Sequence, residues 1–163
     1  MAPNSLGDAL RDFSVDLYKQ LLPKSGDAGN IFYSPFSISA ALSMALAGAR
    51  KKTAKQLSRA LHANSDKIHK HFSRFLSHLP GFAPDVKLHL ANRMYSEKTF
   101  VVMESYLTVL RDVYGATIES VDFQNHSEEV RQQVNAWVEE ATASKIKDLL
   151  PGGSVDSRRA LYS

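Results

Sequence analysis

Cysteine is absent from all 163 residues, which excludes a disulfide framework, a thiolate nucleophile and any cysteine-ligated metal site. No stretch is apolar for long enough to span a bilayer, and the segment from Met1 to Arg11 lacks the apolar core of a secretory leader. The expectation is a cytosolic chain, or one that has shed its leader. One-sided charge is missing too. Twenty Lys and Arg against 17 Asp and Glu leave a formal net charge of +3, so composition alone calls for neither nucleic acid nor a membrane as partner. There is no Gly-x-Ser-x-Gly elbow, no phosphate-cradling glycine loop and no nucleophile beside a base, so no enzyme activity and no cofactor are expected. No internal repeat or low-complexity tract divides the chain. With 44% apolar residues it reads as a single domain over 1–163.

What is present is a succession of well-punctuated elements. Leu10, Phe13, Leu17 and Leu21 recur at steps of three and four, predicting a helix from Leu6 that Pro23 ends. Ile31-Phe32-Tyr33 reads as a brief strand. Ser34 before Pro35 is a helix start, because the serine oxygen accepts an orphan amide and proline has no amide to lose. Phe36 to Ala47 is apolar or small around nearly its whole circumference, which predicts a helix running through the core, with Gly48 suited to a left-handed closing turn. Thr53 with Gln56 resembles a capping box opening another helix, with Leu57 and Leu61 facing inward.

Ile68, Phe72, Phe75, Leu76 and Leu79 mark the apolar stripe of a helix over 66–79. Val86, Leu88, Leu90 and Met94 then alternate with Lys87, His89 and Arg93, as in a half-buried strand. Met103 to Tyr114 reads as a helix closed by Gly115, and Thr117 to Phe123 as a second strand. Ser127 ahead of Glu128 and Glu129 opens the last helix, whose buried stripe is Val130, Val134, Trp137, Val138 and Ala141. Pro151-Gly152-Gly153 is a clear break.

The passage from Asn30 to Arg50, continuing to Thr53, Gln56 and Leu57, closely resembles the serpin signature. Leu90-Ala91-Asn92-Arg93-Met94-Tyr95 is similar to that family's second strand of sheet A. Tyr114, Ala116 and Val121-Asp122-Phe123 resemble the approach to its first strand and the ending of that strand. Val134-Asn135-Ala136-Trp137-Val138, then Thr142, Lys145, Ile146 and Leu149, resemble helix F and the segment after it. The resemblance covers about 10–157 and points to an arthropod-type or leaderless serpin, amino-terminal portion only. The segment 158–163, with Arg158 and Arg159, departs from the pattern.

The resemblance implies an α+β fold, an incomplete serpin. It would hold helices A to F, the sixth strand of sheet B near Ile31, and strands two and one of sheet A, without the third and fifth strands or the reactive-centre loop. It implies a serine protease as partner of a full-length parent, which traps the enzyme through that loop, while this chain alone is expected not to inhibit. An extracellular location is the family default, with a cytoplasmic one as alternative. Ser34 and Ser37 match buried polar serines beneath the place where sheet A opens, and are expected here to lose partners on later strands. The strand ending near Tyr95 is expected to present an unpaired edge and promote self-association.

Two basic surfaces stand out. Lys67, Lys70, His71, Arg74 and His78 fall within one helical stripe, a candidate site for heparin-like glycosaminoglycans that would strengthen as imidazoles gain charge in mild acid; the bland reading is a solvated face. Arg50, Lys51, Lys52, Lys55 and Arg59 form a second run, read as a solubilising surface spread over a turn and two helix faces. His69 and His71, two apart on a helix, point away from each other and make no metal site. Asn125-His126-Ser127 has the form of a glycosylation acceptor, and reads more simply as loop and cap.

Overall fold

The structure, a computed structural model, describes residues 5–22, 29–79 and 92–155, together with the backbone of 161–162. The chain falls into two compact units, Met1–Leu90 with Thr108–Gly115, and Ala91–Leu107 with Ala116–Ser163.

The first unit is helical. Helix α1 (Leu6–Leu21) starts where the Ser5 hydroxyl accepts the Asp8 amide at 3.1 Å. It stops because Leu22, which precedes Pro23, turns extended at φ −59°, ψ 130°. Helix α2 (Pro35–Gly48) packs against α1, α3 (Lys51–Ala60) and α4 (Ser65–His78). None of its residues from Pro35 to Ala47 is exposed, as its apolar circumference requires.

Several local expectations are corrected here. The left-handed turn expected at Gly48 is made instead at Lys51, φ 51°, while the Arg50 guanidinium donates to the Ala47 and Ala49 carbonyls at 3.1 and 2.9 Å. The capping box at Thr53 and Gln56 does not form, because α3 begins at Lys51 and Thr53 already lies inside it. Ile31–Tyr33 is irregular backbone, not a strand, since a strand needs a ladder partner and none is present among the described residues. Tyr33 instead donates its hydroxyl to the Ser14 carbonyl of α1 at 3.2 Å, and Phe32 is fully exposed.

Helix α4 opens on Asn64, whose side chain accepts the Asp66 amide at 2.9 Å, and buries Ile68 and Phe72. Phe72 is 0% exposed, with ring centroids 5.6 Å from Phe36 and 5.5 Å from Tyr114. Phe75, placed by pattern on the same stripe, contacts Phe36 at 5.2 Å but is exposed.

The second unit carries the sheet. Strand β1 (Arg93–Glu97) pairs in parallel with β2 (Thr117–Val121), Arg93 opposite Thr117 and Glu97 opposite Val121. The chain between them forms α5 (Glu104–Tyr114) and then turns at Gly115, whose φ of +60° suits a residue without a Cβ. On its other edge β1 pairs antiparallel with the two-residue β3 (Leu161–Tyr162). The expected strand over 86–94 lies partly outside the described residues, and its described part runs on to Glu97 with Met94 to Glu97 all buried instead of alternating. Both edges of β1 are occupied at Tyr95 and Ser96, which corrects the expectation of an unpaired edge at those two residues, while β3 is too short to supply a full third strand.

Helix α6 (Ser127–Ala141) buries Val130, Val134 and Val138 against Tyr95, Val121, Phe123 and Val155, with Trp137 partly buried on the same cluster. Its cap position is His126, without a side-chain cap bond, so Ser127 is the first helical residue and not the cap expected from its type.

Candidate functional site

The exposed face of α4 is built by the helix register. Burial of Ile68 and Phe72 leaves Lys67, Lys70 and Arg74 outward, with His78 exposed at the end and His71 half-buried. Among the described residues none of these three cations forms an ion pair, so their charge faces solvent. His78 Nδ1 lies 2.6 Å from the Arg74 carbonyl, which holds its ring against the last turn. The face can therefore bind an anion by charge.

His69 points elsewhere. Its Nδ1 lies 2.7 Å from the Tyr114 hydroxyl and its ring meets that of Tyr114 edge-on, with centroids 6.0 Å apart. Burial pushes its pKa down, with Asp66 opposing. Among the described residues no group of three or more acidic or imidazole side chains could hold a metal ion.

The two serines singled out by resemblance are corrected in burial. Ser34 is exposed and Ser37 half-buried, and neither lacks a partner: Ser34 accepts the Ser37 amide at 3.3 Å and the two hydroxyls lie 3.0 Å apart. Capping explains this, because an N-cap residue sits at the helix edge and keeps its oxygen over the first turn. The buried hydroxyls of α2 are Ser39 and Ser43 instead, and the Ser43 oxygen has no hydrogen-bond partner among the described residues.

Three polar anchors of the second unit went unread in the sequence. Glu97, 1% exposed, accepts the Phe123 amide at 2.8 Å, the Gln124 amide at 3.3 Å and the Thr99 amide at 3.2 Å. Asp122 accepts from Lys98 Nζ at 2.7 Å and the Asn125 amide at 2.9 Å, with His126 Nδ1 at 2.9 Å. Lys98, then the Asn125 amide, holds its carboxyl far below the usual carboxylate range. The side-chain amide of Asn125 also donates to Asp122, which makes the glycosylation-like triplet part of a turn. Asn135 clasps Leu150, donating to its carbonyl at 2.9 Å and accepting its amide at 2.8 Å.

A sequence model of the family described as Serpin (serine protease inhibitor) matches residues 8–162, reaching into the 158–163 segment that departs from the pattern by residue type. The chain is 60% identical over 158 residues to Ipis-1 of Ixodes persulcatus, covering 96% of this chain and 42% of that protein. It is 44% identical to leukocyte elastase inhibitor of Sus scrofa over 91% of this chain and 39% of that one. Among solved structures, ovalbumin from emu (Dromaius novaehollandiae) superposes with a TM-score of 0.86 at 32% identity, over 97% of this chain and 44% of that one. The chain thus spans about two fifths of the length of the relatives it matches.

Proposed function

Given that the chain belongs to the serpin family, we propose that it supplies the amino-terminal framework of a serine protease inhibitor, and is not itself an enzyme. The observation that carries this reading is the family match over 8–162. Among the described residues the elements are six helices and a sheet in which β1 lies between β2 and β3. In the mechanism that membership implies, a protease cleaves an exposed bait loop and is held as an acyl-enzyme while the loop inserts into the sheet, driven by strain stored in the native fold. Neither bait nor hinge falls within these 163 residues by resemblance, so trapping belongs to a longer parent. An extracellular location follows the family default. A chain extended to the length of its relatives should form a complex with a serine protease that survives boiling in detergent. Cleavage of that extended chain without any such complex would refute the inhibitor reading.

A second reading concerns α4. Lys67, Lys70 and Arg74 on one face, without an ion-pair partner among the described residues and flanked by His71 and His78, favour a site for heparin-like glycosaminoglycans. Substituting K67Q/K70Q/R74Q should weaken binding to immobilised heparin on the order of tenfold at low salt. Retention indifferent to these substitutions sinks the reading.

A further inference from the structure

The histidines of α4 have different surroundings. His71 belongs to the basic face, whereas His69 is half-buried against Tyr114, the buried last residue of α5. The 2.7 Å between His69 Nδ1 and the Tyr114 hydroxyl suits a hydroxyl donor, since N–H donors sit at about 2.9–3.0 Å from their acceptors. Tyr114 therefore donates to a neutral imidazole whose proton is on Nε2. The same tyrosine ring packs on Phe72, with centroids 5.5 Å apart, which fixes the hydroxyl in place. Tyr114 closes α5 just ahead of the turn at Gly115. The bond thus ties α4 to the last turn of α5 within the first unit.

We propose that His69 and Tyr114 form an acid-released latch between α4 and the end of α5. A proton on Nδ1 removes the lone pair to which the hydroxyl bonds. Burial disfavours the imidazolium, with Asp66 opposing. Opening exposes the ring to water, where it binds a proton more readily, so mild acid favours the open arrangement. The hold is complete above the ordinary imidazole range and declines as pH falls through it. Few charges bear on the pair. On α4 its neighbours are Asp66, Lys67 and Lys70, and α2 brings no titratable side chain. On α5, Arg111 pairs with Asp112 at 3.1 Å, and Glu104 lies at the far end of the helix. On α1, Asp8 and Asp12 are engaged by Arg11, and Asp16 by Lys19 at 3.5 Å and His62 Nε2 at 2.8 Å. The His62 contact, just ahead of α4, becomes an ion pair when that imidazole is protonated, so acid keeps α4 tethered to α1 while freeing it from α5.

Amide hydrogen exchange of the 163-residue chain, at about pH 7.5 and about pH 5.5 and corrected for intrinsic exchange, tests it peptide by peptide. Protection of α4 and of the last turn of α5 should fall roughly fivefold at the lower pH, the loss expected for one hydrogen bond, while α6 peptides keep theirs. Tyr114→Phe keeps the ring and His69→Gln carries no titratable group, so the pH-dependent fall should vanish in both. Histidine-selective NMR of the wild type supplies a readout that needs no variant: at neutral pH, Nδ1 of His69 should be the unprotonated nitrogen. Equal protection at the two pH values in the wild type, a fall that persists in either variant, or a proton on Nδ1 at neutral pH overturns the proposal.

Discussion

Glu97→Ala should destabilise the second unit by about 4 kcal/mol, because it leaves buried amides without an acceptor. Glu97 closes β1, and its two oxygens gather the amides of Thr99, Phe123 and Gln124. Phe123 is itself buried in the cluster under α6, so water cannot replace the lost carboxylate there. Hydrogen bonds to a charged acceptor contribute about 1.5–3 kcal/mol each, and the strand end has no substitute for them. Glu97→Gln keeps one acceptor oxygen and turns an amino group towards donors, so about half the loss is expected. Trp137, the single tryptophan, packs on this cluster and reports its unfolding by fluorescence in urea. A change under about 1 kcal/mol for the alanine variant would show that the carboxylate is not the anchor.

Phe72→Ala should cost the first unit a similar amount, about 4 kcal/mol, for a different reason. The ring is 0% exposed and lies among Phe36 and Tyr114, where truncation opens a cavity that α2 and α4 cannot close without moving. Phe72→Leu, which refills much of the volume, should lose roughly 1.5 kcal/mol. Helical circular dichroism in a thermal scan is the readout, and near-equal midpoints for the wild type and the alanine variant would contradict the packing described.

What could be read in the sequence is what local periodicity and caps determine. The apolar face of α1, the all-round burial of α2 and the stripe of α6 come from spacing, and the turn at Gly115 from residue type. Elements that need a distant partner could not be read. Ile31–Tyr33 has strand composition, yet composition supplies no neighbouring strand to bond with. Glu97 looks like a surface glutamate, because the amides that justify its burial lie 26 and 27 residues onward. Asn135 stands in a family-like motif, but its clasp on Leu150 has no local signature.

The candidate surfaces divide along the same line. The α4 face was legible because the helix begins at Ser65, beside the start that its apolar stripe predicts. Ser34 is a cap, as its residue type and the proline after it suggest, and for that same reason is not a buried group.

The most direct test of the division between this chain and a full inhibitor is the intact mass of mixtures of the 163-residue chain with trypsin-like, chymotrypsin-like and elastase-like proteases. The expected spectra contain unmodified protease at full activity alongside intact or cleaved chain. A stoichiometric acyl adduct accompanied by loss of protease activity would contradict the account.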